Sequence, residues 1–534
     1  MFTFLKKINV SEIKLIFVAT LFIFLAHNQT LLDKTLLIYP FADNSIFIFS
    51  LVVIFFSLLF IEVTLFCLII PTRVVLTIFL FLSGILGYFT QQYGTIFDDT
   101  MFINVFQTDT AEALGLLNIN FFVNLILLSI VPSLFIWNIN INFDKYLKRL
   151  LYKFIAILIA ISLIVASIFS SSANFSSFAR EHKVLRTYAT PAYPIYSLSK
   201  IIKEFLFRSG EMEYRKVSSN VSLSIGEDGN DLVVLIVGET ARADHFSLNG
   251  YHRLTNPLLM KETSLISYSN LESCGTTTTV SVPCMFSYQT SNKFDRKASA
   301  YTENILDTLA EVGVNILWRD NNSDSKHVAD RVTYENFKTP LLNPICDSEC
   351  RDEGMLHNLD NFIENSPGNK LIVLHQMGSH GPEYYKRYPK KFEKFTPTCQ
   401  TNELSKCSNE EIINAYDNTI LYTDYFISKT INFLKKYNNK YEITLIYVGD
   451  HGESLGEKGI YLHGMPKNIA PKAQTNVPLL LWGGKLTDVN LLKTALIKNN
   501  SHSHDELANT LLDLFEVSSD TYDKNQSQLL YRKH

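Results

Sequence analysis

A bundle of five transmembrane helices followed by an α/β domain with a mostly parallel central sheet is the fold that this sequence predicts. Three observations carry the prediction. Apolar residues, 47% of the 534-residue chain, are concentrated before about residue 170 as one long block after another. From about residue 210 onward, charged residues, Asn and Ser return at the density of an ordinary globular domain. Within that second part, short runs rich in Val, Ile and Leu alternate with helical patterns, as when strands are joined by crossover helices.

Five blocks are long enough to cross a bilayer, which takes about 20 helical residues. They lie near 13–31, 45–70, 72–91, 118–138 and 150–170, making residues 1–170 a transmembrane domain. No small-residue cleavage site follows the first block, so it reads as a retained span and not as a cleaved signal peptide. Lys6, Lys7 and Lys14 precede the first block, Arg73 sits in the second connection, and Lys145, Lys148, Arg149 and Lys153 crowd the fourth. The other two connections hold Lys34 as their only basic residue. The positive-inside rule therefore puts the N-terminus in the cytoplasm, and five crossings carry everything after Ser170 to the far side. The spans are read as free of buried charge, which argues against a transport pathway. The third connection, Thr90 to Asn118, is acidic and aromatic, and reads as a short amphipathic element or a plain loop.

Residues 171–215 form a bridge. A Ser-rich stretch and two prolines, Pro191 and Pro194, lead into Ile195, Leu198, Ile202, Phe205 and Leu206 at helical spacing. Such a helix suits either a membrane surface or the flank of the following domain.

Residues 216–534 make up the soluble domain. Strands are predicted at Leu232–Val237, Val314–Trp318, Leu371–Leu374, Ile443–Val448 and Val477–Trp482. Helices are predicted at Ile305–Val312, Leu356–Ile363, about Asn409–Tyr437 and Glu506–Phe515. Six of the seven cysteines fall as close pairs in this part: Cys274 with Cys284, Cys346 with Cys350, Cys399 with Cys407. Three local disulfides, and hence an oxidising compartment, follow from that arrangement and agree with the orientation read from the basic residues. Zinc thiolates are the rival reading, but none of the pairs has C-x-x-C spacing. The formal net charge of −4 suggests no nucleic-acid partner.

Ligands of a parallel α/β sheet collect at the carboxyl ends of its strands. The residues there are Glu239 and Thr240 after the first strand, His375 and then His380 after the third, Asp450, His451 and Glu453 after the fourth, with His463 in a further loop. Singly, each is more simply a helix cap or a solvated side chain. Together they deposit carboxylates and imidazoles on one edge of the sheet, as a hydrolase-type metal site requires. The stretch Ser273 to Cys284, S-C-G-T-T-T-T-V-S-V-P-C, presents four consecutive threonines on a turn closed by two cysteines. A threonine hydroxyl is a poor nucleophile near neutral pH until a base or a metal ion acts on its proton. Oxygen and imidazole ligands around a hydroxyl suit zinc, with manganese as the alternative. The residue pattern alone leaves Thr276, Thr277, Thr278 and Thr279 equally eligible.

The runs VGETARADHFSLNGY from Val237, SCGTTTTVSVPCMFSY from Ser273, LWRDNNSDSK from Leu317, HQMGSHGP from His375 and GDHGESLGEKGIYLHGMP from Gly449 closely resemble the bacterial lipid A phosphoethanolamine transferases. That family includes the colistin-resistance enzymes and belongs to the alkaline phosphatase and sulfatase superfamily. The resemblance implies an alkaline-phosphatase-like (sulfatase-like) fold for the soluble domain, in the periplasm of a bacterium and anchored in the inner membrane. It implies Thr278 as nucleophile, a tight zinc site of Glu239, Thr278, Asp450 and His451, and phosphate-side histidines His380 and His463, which bind substrate or a second, weaker zinc. Lys326, Asn322 and Thr276 match positions that hold the donor phosphoryl group. The implied reaction moves phosphoethanolamine from phosphatidylethanolamine to a phosphate of lipid A, weakening the attraction of polymyxins and other cationic peptides to the cell surface, and the expected state is a monomer. The rival readings are another acceptor, such as a core sugar or a surface protein, a membrane-anchored phosphatase or sulfatase that transfers to water, and a catalytically dead scaffold.

Overall fold

The computed structural model describes residues 8–108, 110–171, 175, 178, 182–207, 213–224 and 230–533. The chain forms two compact units, one of Met1–Phe106 with Leu116–Ser209, the other of Gln107–Gly115 with Gly210–His534.

In the first unit, four helices are long and apolar enough to cross a membrane: Phe41–Ile69, Thr72–Tyr93, Ile119–Asn138 and Tyr146–Ser170. The block expected at 13–31 is not one straight span. Helix Glu12–His27 stops at Asn28, and the chain resumes as Gln29–Ile38 after a bend of 61°. Asn28 explains the break. Its side-chain amide donates to Thr190 O at 2.7 Å, and the Thr190 N–H donates back to Asn28 Oδ1 at 2.8 Å. This buried amide is therefore satisfied on both sides, which an apolar surrounding demands. Helix Ile119–Asn138 relaxes into a π-turn at Ile126–Ile130, just before Pro132, whose ring cannot donate to the helical ladder. Ile16, Phe60, Val63, Leu76 and Phe79 form the middle of the apolar core.

The expectation of uncharged spans fails at two places. Lys153 is 3% exposed and meets the buried Glu12 at 2.8 Å, with Arg149 on the same carboxylate at 2.7 Å. Glu62 lies inside helix Phe41–Ile69 with one carboxylate oxygen buried and without a partner among the described residues. The bridge helix runs from Ala192 to Phe207. Part of its apolar face packs within the first unit: Ile195 packs against the core of the bundle, and Leu198 and Ile201 on Leu86, Phe97 and Phe102, whereas Ile202 is exposed and the side chains of Phe205 and Leu206 lie outside the described residues. Phe102 belongs to a helix, Asp99–Gln107, within the third connection.

The second unit is built on an eight-stranded sheet. Its strands are β1 Asp231–Gly238, β2 Leu265–Glu272, β3 Asn315–Asp320, β4 Thr333–Asn336, β5 Lys370–His375, β6 Glu442–Gly449, β7 Asn476–Gly483 and β8 His502–Ser503. Their order across the sheet is β8-β2-β7-β6-β1-β5-β3-β4. Only β7 runs against its neighbours; every other pairing is parallel. All eight residues of β1 are buried, as a central strand covered on both faces must be, and this is why LVVLIV carries no alternation. The sequence reading missed β2, in which buried positions alternate with more open ones, and the short edge strands β4 and β8. Two apolar layers flank the sheet. One includes Val233, Leu235, Trp318 and Leu511, and the other Val234, Ile236, Tyr416 and Ile420. The second rests on helix Asn409–Leu434, which starts at a capping box between Ser408 and Glu411.

Register aligns the ends of the central strands. Gly238 pairs with Gly449, Val237 with His375 and Asp320 with His375. The residues that follow β1, β3, β5 and β6 therefore emerge side by side.

Candidate active site

Thr277 is extended (φ −144°, ψ 147°) and caps helix Thr278–Met285, so Thr278 opens the first turn. Several bonds stiffen this corner. A disulfide joins Cys274 to Cys284 across the helix, the Gly275 N–H donates to Ser281 Oγ at 2.9 Å, and the Cys274 N–H donates to His504 Nδ1 at 3.1 Å. His504 Nε2 in turn donates to Gly449 O at 2.9 Å, tying the threonine turn to the end of β6. These two bonds need a neutral imidazole, and burial pushes His504 down to about 3. The other expected disulfides, Cys346–Cys350 and Cys399–Cys407, are also formed.

The Thr278 hydroxyl donates to Glu239 Oε2 at 3.0 Å and lies 3.3 Å from His451 Nε2. Glu239, Asp450 and His451 each offer a ligand atom within 4.8 Å of the others, and all three are at most 1% exposed. His451 Nε2 is 3.4 Å from Glu239 Oε1 and 3.4 Å from Asp450 Oδ2. The His451 Nδ1–H donates to Gly452 O at 3.0 Å, so the lone pair of Nε2 faces the carboxylates.

The electrostatics of this cluster call for a cation. Glu239 Oε1 and Asp450 Oδ2 are buried with no hydrogen-bond partner among the described residues. Burial, and then the charge of Glu239, raise the Asp450 carboxyl well above its usual range. Burial would raise Glu239 as well, but the surrounding histidines, His451 first, hold it below. Burial and then the charge of His463 push His451 down to about 3. Two orphaned carboxylate oxygens, an imidazole lone pair and a hydroxyl converging on one point fit a divalent cation. A second grouping, Cys274, Cys284 and Asp505, does not, because both of its sulfurs are in a disulfide.

His463 and His380 border this cluster. The His463 ring centroid is 4.5 Å from that of His451 and 5.4 Å from that of His380. The His463 Nδ1–H donates to Glu453 Oε2 at 2.8 Å, and the other oxygen of this buried carboxylate accepts the Tyr384 hydroxyl at 2.7 Å. Asn322 reaches the cluster from the end of β3, its Nδ2 donating to Glu239 Oε2 at 2.8 Å and to Gln376 O at 2.7 Å. Thr276 and Lys326 use their polar groups elsewhere. The Thr276 hydroxyl donates to Met465 O at 2.6 Å, and Lys326 Nζ donates to Ser323 Oγ at 2.9 Å beside Asp324.

Other residues that shape the site escaped the sequence reading. Asp320 accepts from His375 Nδ1 at 2.8 Å, Trp318 Nε1 at 2.9 Å and the Asn322 N–H at 2.8 Å, and so sets the turn that delivers Asn322. Asp352 gathers the Asn321 side chain at 2.8 Å and the Met377 N–H at 2.9 Å. Asp320 lies two residues beyond a predicted strand, and Glu453 is among the residues read at the end of the fourth. Asp352, Glu453 and His504 are made functional by partners distant in the sequence.

Family models match both units: that of phosphoethanolamine transferase EptA/EptB over residues 54–206 and that of the sulfatases over 231–517. The chain is 42% identical to phosphatidylethanolamine transferase Mcr-1 of Escherichia coli over 532 residues, 96% of each protein. It is 36% identical to phosphoethanolamine transferase EptA of Escherichia coli K12 over 536 residues, covering 97% of this chain and 96% of that one. Its fold matches the integral membrane protein lipooligosaccharide phosphoethanolamine transferase A of Neisseria meningitidis with a TM-score of 0.94 at 30% identity, over 99% of this chain and all of the other. Likeness of sequence and of fold over nearly the whole length leads to one conclusion: the chain belongs to the phosphoethanolamine transferases of the alkaline phosphatase and sulfatase superfamily.

Proposed function

We propose that this protein transfers phosphoethanolamine from phosphatidylethanolamine to a phosphate of lipid A through a covalent intermediate on Thr278. The observation that carries the reading is the Thr278 hydroxyl, 3.0 Å from Glu239 Oε2 beside two buried carboxylate oxygens that lack hydrogen-bond partners among the described residues. Glu239, Asp450, His451 and Thr278 would hold the cation, and zinc suits that donor set. When bound, it supplies the positive charge that lets a threonine hydroxyl ionise near neutral pH.

The steps then follow from the chain's own groups. Thr278 Oγ forms a bond to the donor phosphorus, its proton passing by way of Glu239. The phosphorus–oxygen bond to glycerol breaks, and diacylglycerol leaves with a proton, which His463 or His380 would donate. An acceptor phosphate oxygen next attacks the phosphothreonine, and Thr278 regains its hydroxyl. Negative charge grows on the phosphoryl oxygens in both steps, and protonated His380 or His463 would offset it. Lys326 would join them on exchanging Ser323 for substrate, as Thr276 would on releasing Met465.

Both substrates are lipids of one leaflet, so anchoring the enzyme confines its search to a surface. A cytoplasmic N-terminus, a periplasmic catalytic unit in the inner membrane of a bacterium and a monomeric state complete the reading. The added ammonium offsets a phosphate charge, which weakens attraction of polymyxins. The test is mass spectrometry of lipid A from cells with and without the protein. A phosphoethanolamine increment must appear with it and vanish in Thr278→Ala; release of free phosphoethanolamine with no modified lipid A would mean a hydrolase instead.

A further inference from the structure

A cavity of about 210 Å³ opens beside the cluster, lined by Asn322 and His380 on one side and by Lys338, Glu349, Cys350 and Arg387 on the other. Asn322 is the residue that holds Glu239, so this cavity adjoins the reacting groups. Lys338, Ser348, Glu349 and Cys350 of this lining come from the two ends of one short stretch of chain, and the tip of that stretch is unusual. Leu341 is 87% exposed, Leu342 40% and Ile345 37%, and both flanking prolines, Pro340 and Pro344, are exposed as well. Five apolar residues out of six are thus turned to the outside. The sixth, Asn343, is 1% exposed.

This tip is held rigid. Asn343 Nδ2 donates to Phe337 O and to Arg351 O, each at 3.0 Å, and its Oδ1 accepts the Ile345 N–H at 3.0 Å. The Asn343 N–H closes a turn on Thr339 O at 3.0 Å, the Arg351 N–H donates to Ile345 O at 2.8 Å, and the Cys346–Cys350 disulfide closes the base. A hydrophilic loop would need none of this fixing to remain in water. Holding leucines outward at a fixed place against the hydrophobic effect is what a contact surface for an apolar partner requires.

We infer that the loop 339–345 is a lipid-docking platform, on which Leu341, Leu342 and Ile345 meet the acyl region of the donor lipid while its headgroup enters the cavity toward Thr278. The occupant follows from the join between the two features. The apolar tip sits on a loop whose two ends, Lys338 and Ser348 to Cys350, line a cavity holding Lys338, Arg387 and His380 together with Glu349 and Glu383, which matches the acyl chains and the zwitterionic phosphate-and-ammonium headgroup of one amphiphile. The inference rests on the proposed lipid donor and adds where its apolar part is held.

The test uses the full chain in phosphatidylglycerol vesicles that also carry lipid A as acceptor, with release of the diacylglycerol product as readout. Two donors are compared: long-chain phosphatidylethanolamine in the vesicle, and water-soluble dihexanoyl phosphatidylethanolamine. In the variant L341S/L342S/I345S, the half-saturating amount of the long-chain donor is expected to rise roughly tenfold, the scale of withdrawing one or two leucine-sized contacts. Its kcat, and the kcat/KM for the dihexanoyl donor, should stay within about twofold of the unaltered protein. Equal loss on both donors would show that the loop acts only by shaping the site, and unchanged kinetics on both would show that it touches no lipid; either result overturns the platform. Turnover of neither donor by the unaltered protein would sink the transferase reading itself.

Discussion

The Asn322 side-chain amide donates at 2.8 Å to Glu239 Oε2, the same oxygen that receives the Thr278 hydroxyl at 3.0 Å. One carboxylate oxygen therefore couples the turn after β3 to the nucleophile, and leaves the other oxygen to a cation. Replacing Asn322 with Ala should let Glu239 rotate, lowering both metal affinity and turnover by roughly 10- to 100-fold. Metal content after dialysis against a graded chelator, read beside diacylglycerol release, checks this; full occupancy with full activity would refute it.

Gly378 presses on the backbone of the same glutamate. It has φ +52°, and a Cβ there would meet Glu239 O at 2.7 Å and Glu239 N at 3.0 Å. Gly378→Ala therefore combines a left-handed backbone with a collision against the Glu239 backbone just after β1, and is expected to cost about 1–3 kcal/mol of stability. Thermal melts should show the loss, accompanied by lower metal content. A variant as stable and as well loaded as the original would contradict the placement.

Removal of the Thr278 hydroxyl should abolish phosphoethanolamine transfer, by about a thousandfold or more, with the fold retained. Intact-protein mass spectrometry after incubation with donor alone should show an adduct of phosphoethanolamine size on the unaltered chain and none on Thr278→Ala. An adduct that persists in the variant would transfer the role to a neighbouring hydroxyl, Thr277 or Thr279.

His504 gives the molecule a pH dependence with a defined sign. Its ordinary value is 6.5, and burial pushes it down to about 3 in the fold. Between those values the unfolded chain binds a proton that the folded chain refuses. The stabilisation is complete above pH 6.5 and is lost as pH falls toward 3, at about 1.4 kcal/mol per pH unit. Melting curves at about pH 7 and about pH 5 should separate less in His504→Gln than in the unaltered protein. Equal separation in both would assign the acid sensitivity to other groups.

How far the sequence reached can be judged from single elements. The apolar run of β1 and the polar residues just beyond it were legible because a central parallel strand needs continuous hydrophobicity and because its ligands follow it directly. The same holds for the helix at Asn409, announced by Ser408 and Glu411. β2 was not legible, because its identity as a strand comes from pairing with β7 and β8, far along the chain. Glu62 was overlooked within an apolar block, where average hydropathy hides a single charge, and Lys153, read with the fourth connection, is instead buried against Glu12.

The sequence by itself determined two units, the paired cysteines and the edge of the sheet on which the candidate site lies, and, by resemblance, it named the residues proposed as ligands and nucleophile. Tertiary structure alone decided that Asp320, Asp352, Glu453 and His504 hold those groups in place, that the first span bends at Asn28, and that Leu341 is left exposed on a fixed loop. The division has a physical cause. Hydrophobic period and strand-end chemistry are written locally along the chain, whereas a hydrogen bond such as that from His504 to Gly449 joins residues 55 positions apart and exists only once the sheet has brought them together.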